Sequence, residues 1–106
     1  MSDGALGDGN PPQPQEDAIR RVLEIVNKKG LHARASAKFV QTVEKFDAQV
    51  TVTRGSETVG GTSIMGLMML SAATGTEITV EARGNQAAEA LDAITDLVTS
   101  GFGEED

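Results

Sequence analysis

Apolar positions recur along the chain at two periods, and the switches between them mark the elements. From Arg20 to Asn27, Leu23 and Ile25 alternate with Glu24, which predicts a first strand. Lys28-Lys29-Gly30 then turns the chain. Between Ala33 and Phe46 the apolar positions Phe39, Val40, Val43 and Phe46 fall at helical spacing, and Glu44-Lys45-Phe46-Asp47 closes that helix. Ala48 to Arg54 sets Val50 and Val52 against Gln49, Thr51 and Thr53, a strand with one wet face. Arg54-Gly55-Ser56 supplies a tight turn into a short third strand, Glu57-Thr58-Val59, which Gly60-Gly61 ends.

Ser63 stands just before Ile64-Met65-Gly66-Leu67-Met68-Met69-Leu70, a short helix with a hydroxyl at its N-cap. Gly66 weakens that helix intrinsically, so packing must hold it. Thr76 to Arg83 alternates Ile78, Val80 and Ala82 with charged and polar residues, a fourth strand. Gly84-Asn85 opens the last helix, whose stripe is Ala87, Ala90, Leu91, Ile94, Leu97 and Val98, and Gly101 stops it. The order is β-α-β-β-α-β-α. Each strand offers one apolar face, which an antiparallel sheet with its helices on one side satisfies, an α+β architecture.

Composition adds the ends. Residues 1–18 are rich in Gly, Pro, Asp and Gln without an apolar period and read as a disordered N-terminal extension. Residues 19–101 form the domain and residues 102–106 an acidic C-terminal tail. The net charge of −7 belongs to these ends. Asp3, Asp8, Glu16, Asp17, Glu104, Glu105 and Asp106 lie there with no Lys or Arg, and acids and bases are equal in number between them. Arg20, Arg21, Lys28, Lys29, Arg34, Lys38 and Lys45 all fall in the first half, a local positive field suited to an acidic or phosphorylated partner. With no Tyr or Trp for stacking and no basic net balance, nucleic acid is not the expected partner. The absence of cysteine rules out disulfides and thiolate chemistry, and with a single histidine any metal site would have to be built mainly from carboxylates, so none is expected. The longest apolar run, Ile64 to Leu70, is too short to span a bilayer. A cytoplasmic, monomeric protein without cofactor is expected.

That one histidine, His32, sits in Gly30-Leu31-His32-Ala33-Arg34 where a turn opens into a helix. First-turn N–H groups have no intrahelical partner and, with the helix dipole, favour an anion. Arg34 adds a permanent cation whose planar fork matches phosphate oxygens. Free imidazole is largely unprotonated near neutral pH and can itself take a phosphoryl group. No acid stands at a telling spacing from His32 for hydrolase chemistry, and there is neither a P-loop nor a dinucleotide fingerprint.

This block, followed by a helix and later by Ser63-Ile64-Met65-Gly66-Leu67, resembles the histidine-containing phosphocarrier (HPr) family of the bacterial phosphotransferase system. The likeness runs from about Leu23 to Val98. It implies an open-faced β-sandwich, with a four-stranded antiparallel sheet of order 1-4-2-3 and three helices on one face. It also implies a carrier, not an enzyme. His32 would accept a phosphoryl group on Nδ1 from enzyme I and pass it to a IIA-type acceptor, in sugar uptake or in nitrogen-related regulation. Arg34 and the backbone N–H groups of Ala33 and Arg34 would steady the phosphoryl oxygens. Ser63 would be the target of an HPr kinase/phosphorylase, and Ala33, Arg34, Ala37, Lys38, Gln41, Ile64, Met65 and Met68 would form the docking patch. One position departs from the family's pattern: Ala35 stands where proline is common, so the first turn keeps an N–H that proline would lack. A second reading stays open, a regulatory interaction module switched by phosphorylation at Ser63.

Overall fold

The computed structural model describes residues 18–104, so all but the last residue of the expected N-terminal extension lies outside the described residues. Four strands, β1 (Ile19–Glu24), β2 (Gln49–Arg54), β3 (Glu57–Gly60) and β4 (Glu77–Arg83), form one antiparallel sheet in the order β1-β4-β2-β3. Three helices, α1 (Ala33–Val43), α2 (Ile64–Met69) and α3 (Ala87–Thr99), complete the order read from periodicity. The α+β class, the strand order and the number of helices are those expected.

The alternation decides which face is covered. Leu23, Val50, Val52, Ile78, Val80 and Ala82 are buried beneath the helices. The intervening residues form the open face, where Val22 pairs with Thr79, Thr79 with Thr53 and Thr53 with Thr58 across all four strands. On the covered side α3 lies against β1 and β4, α1 against α2 and α3, and α2 against β3. Phe39, Ile25, Leu67, Leu91 and Ile94 fill the space between sheet and helices.

Two boundaries move inward for local reasons. The first strand ends at Glu24 and not at Asn27, because its partner β4 begins at Glu77, opposite Glu24. Beyond that pair Ile25 bonds to Gly75 and Thr76, and the Asn27 carbonyl accepts from Gly30 N in a turn. The first helix ends at Val43, before Phe46. Beyond it the N–H groups of Lys45 and Phe46 bond to the carbonyls of Thr42 and Val43, three residues back, which tightens the chain out of the α-helix. Phe46 is thus half-buried and lies outside the core cluster.

The C-terminal boundary needs correction. After α3 a 3₁₀ turn, Gly101–Gly103, carries Phe102 into the core, where it is fully buried. The domain thereby extends past Gly101 into what reads as tail. Phe102 holds a left-handed φ of 58° between Gly101 and Gly103, which are left-handed as well. For a bulky residue that conformation costs about 1–3 kcal/mol. Burying its ring returns roughly 1.5–3 kcal/mol, enough to hold the turn.

Candidate functional site

Gly30 makes the approach to the site possible. With φ of +65° it takes a left-handed turn, and a β-carbon there would lie 2.3 Å from the carbonyl oxygen of Ala72. The N–H of the next residue, Leu31, donates to that same oxygen at 3.0 Å. His32 follows as the N-cap of α1 in extended conformation, its carbonyl accepting the first helical bond from Ser36 at 2.8 Å. Ser36 Oγ donates to Leu31 O at 3.1 Å and fastens the turn from below. The N–H groups of Ala33, Arg34 and Ala35 precede the first intrahelical bond and form the donor end of the helix.

His32 is 27% exposed and opens onto a pocket of about 690 Å³ lined by Lys29, His32, Ala33, Arg34, Lys38, Gly103 and Glu104. Three cationic residues thus line the same pocket as the imidazole. The wider basic field read from the sequence is dispersed by the fold. Arg20 pairs with Glu81 at 3.2 Å, and Arg21 reaches α3 through Asp92 at 2.9 Å and Thr95 at 2.7 Å. Lys45 lies in a different groove, beside Asp96.

Glu104 is a functional candidate that the sequence does not reveal, because it lies in the acidic end that reads as tail. Its Oε2 contacts His32 Nε2, and its Oε1 accepts from Asn27 Nδ2 at 3.1 Å. The His32 contact foremost holds its carboxyl below the ordinary carboxylate range. Desolvation opposes this, and the Asn27 hydrogen bond and the charges of His32 and Lys38 add to it. Lys38 also donates to Phe102 O at 2.7 Å, so the predicted partner-binding lysine anchors the C-terminal turn as well. The signal that could have found this contact is Phe102 itself, a lone aromatic between two glycines in an otherwise acidic end.

The second block lies on α2, against α1. Ser63 is exposed and caps the helix, its Oγ accepting from Gly66 N at 2.9 Å. Leu67 and Leu70 turn into the core, while Ile64, Met65, Met68 and Met69 are 40, 68, 39 and 70% exposed. Of the α1 residues, Ala33, Arg34 and Gln41 are exposed and Ala37 and Lys38 half-buried. An apolar α2 surface thus adjoins a basic α1 surface. Among the described residues no group of His, Cys, Asp and Glu is placed to hold a metal ion, and no helix is long and apolar enough to cross a membrane.

Comparison with known proteins agrees with this geometry. The family model described as the PTS HPr component phosphorylation site matches residues 19–100. The chain is 54% identical over 86 residues to a phosphocarrier protein HPr of Neisseria meningitidis, covering 81% of this chain and 97% of that one. It is 41% identical over 86 residues to a phosphocarrier protein NPr of Shewanella violacea, covering 81% and 94%. A crystal structure of HPr-C-His from Thermoanaerobacter tengcongensis superposes with a TM-score of 0.79 at 43% identity, covering 83% of this chain and 99% of that one. The fold, the match over nearly the whole folded region and these identities together place the chain in the HPr family of phosphotransferase-system phosphocarriers.

Proposed function

We propose that the protein carries a phosphoryl group on Nδ1 of His32, accepting it from the phosphohistidine of enzyme I and handing it to a histidine of a IIA-type acceptor. The observation that carries this reading is the half-open pocket in which His32 caps α1 beside Lys29, Arg34 and Lys38. In each transfer one N–P bond forms as another breaks in line, and the travelling group bears negative charge on its equatorial oxygens. Arg34 and the first-turn N–H groups of Ala33 and Arg34 stabilise that charge from fixed positions. The pocket is half open, which suits a carrier, since an oxyanion held too tightly could not be handed on.

Docking falls to the α1–α2 surface. The exposed Ile64, Met65 and Met68 supply adaptable apolar contact for successive partners, and Arg34, Lys38 and Gln41 supply charge and hydrogen bonds. Relatives named HPr and NPr are both similar to the chain, and the same chemistry serves sugar uptake or nitrogen-related regulation.

A second reading, a regulatory module switched at Ser63, is favoured by the exposure of that serine next to the same apolar surface. A phosphate there would add about two negative charges to the docking face and repel acidic partners. The readings separate on His32→Ala: a relay loses its output and a binding module keeps it. The direct test is the intact mass after incubation with phosphoenolpyruvate and enzyme I. One acid-labile phosphoryl group that disappears in H32A is expected. No uptake from a demonstrably phosphorylated enzyme I of the same organism would overturn the carrier reading.

A further inference from the structure

The contact between Glu104 and His32 is built, not incidental. Asn27 Nδ2 donates both to Gly30 O at 2.8 Å and to Glu104 Oε1 at 3.1 Å. Two acceptors on that side fix which end of the amide faces them. Asn27 is 2% exposed, so turning the carboxylate away would cost a buried donor one of its partners. Phe102 is locked in the core two residues earlier, and Lys38 holds its carbonyl. The carboxylate is thereby delivered to one particular nitrogen of the ring, Nε2.

An ionised carboxylate only accepts hydrogen bonds, so it favours a proton on the ring nitrogen it faces. A neutral imidazole protonated at Nε2 carries its lone pair on Nδ1. Among the described residues Nδ1 has no hydrogen-bond partner. We propose that Glu104 is a positioning residue that keeps the proton on Nε2 of His32 through both phosphoryl transfers, leaving Nδ1 as the reacting nitrogen. The proposal rests on the carrier reading above.

The balance closes without a proton entering or leaving. On acceptance the Nδ1 lone pair forms the N–P bond, while the donor's N–P electron pair returns to the donor's ring. The His32 ring, still protonated on Nε2, then carries a positive charge. On donation the N–P electron pair returns to Nδ1 and regenerates neutral imidazole with its Nε2 proton. Were that proton lost from the phosphorylated ring, the leaving group would be an imidazolate, which departs poorly. The charged groups that line the pocket with His32 are Lys29 of the preceding turn, Arg34 and Lys38 of α1, and Glu104, which contacts the ring. The three cations favour loss of the proton, and Glu104 is the anion that opposes it.

Chemical phosphorylation with phosphoramidate tests this independently of enzyme I. In the intact wild-type protein, ¹⁵N spectra should show the Nε2–H tautomer before reaction and the phosphoryl group on Nδ1 after it. Glu104→Ala should mix the tautomers and yield a share of the Nε2-phosphorylated isomer. Glu104→Gln keeps an acceptor without the charge. In E104Q the pH above which hydrolysis of the phosphorylated protein slows should fall by about one unit, which makes hydrolysis roughly tenfold slower on the alkaline side. Wild-type tautomers, isomer and pH profile in both variants would overturn the proposal. Failure of wild-type protein to take phosphate from active enzyme I would instead overturn the carrier reading, with the tautomer result standing apart.

Discussion

Gly30 lies so close to Ala72 that a β-carbon on it would sit 2.3 Å from the Ala72 carbonyl oxygen and 3.0 Å from Cα of Ala73. Both obstacles are backbone, and neither can swing aside as a side chain would. The turn before His32 is therefore set by a contact with the loop that follows α2, more than forty residues later in the chain.

Gly30→Ala should accordingly cost more than the conformational penalty of a left-handed alanine. We expect a loss of about 2–4 kcal/mol, from strained φ and displaced backbone together. The rate of phosphoryl uptake should fall further than the folded fraction does, because the variant moves His32 relative to the donor end of α1. Urea unfolding alongside intact-mass kinetics separates the two effects, and unchanged kinetics in the folded fraction would contradict the argument.

Local signals carried most of the architecture. Alternation around Val50 and Val52, around Ile78 and Val80, and the α3 stripe from Ala87 to Val98 each predicted an element that the structure contains. These patterns work because one face of each element is buried and the other wet. The C-terminal part of the site gave no such signal. Glu104 meets His32 across 72 positions of sequence, and nothing periodic connects them. Gly101 reads as a stop, yet here it and Gly103 flank the left-handed turn that folds Phe102 back into the core. Charge counting failed for a related reason, since Arg20, Arg21 and Lys45 are near His32 in sequence and point elsewhere in space.

Gly66 offers a case where propensity and packing oppose each other. Replacing a mid-helix glycine by alanine ordinarily stabilises by about 1 kcal/mol. Here the added β-carbon would lie 2.9 Å from Ser63 Oγ and 3.0 Å from Cβ of Val59. The hydroxyl can rotate away only by giving up the cap, worth about 1 kcal/mol, and Val59 belongs to β3 and cannot readily retreat. G66A should therefore be destabilised by roughly 1 kcal/mol. A rise in its urea midpoint would show that α2 shifts freely on the sheet.

Phe102→Ala tests whether the C-terminal turn is part of the folded unit. Truncating a fully buried phenylalanine typically costs about 3–5 kcal/mol. The variant should lose stability on that scale and, through release of Glu104, should also lose the Nε2–H preference of His32 in the molecules that remain folded. A true tail residue would change stability by less than about 0.5 kcal/mol.

Met65 makes the docking surface testable without disturbing the core. It is 68% exposed, so Met65→Ala should leave the unfolding midpoint within about 0.5 kcal/mol of wild type. If α2 meets enzyme I, the KM for phosphoryl transfer should rise several-fold at nearly constant kcat, the mark of lost binding energy shared by ground and transition states. An unchanged KM for both enzyme I and the acceptor would remove Met65 from the docking surface.

The carboxyl of Glu104 is held below its ordinary range, by the His32 contact first, and this predicts how stability depends on pH. A carboxyl depressed on folding contributes stability above its unfolded value, and that contribution fades as pH falls through the folded value. Wild type should therefore exceed E104Q at pH 7; the gap should begin to close at about pH 4, where free glutamate takes up its proton, and the two should converge only below the lower folded value. The difference at neutral pH should be on the order of 1 kcal/mol, because the glutamine keeps an acceptor for the ring and for Asn27. Urea titrations of both proteins at several pH values measure it. A difference that is constant from pH 3 to pH 7 would mean that the glutamine disturbs packing of the turn, and that the charge on Glu104 contributes nothing to the fold.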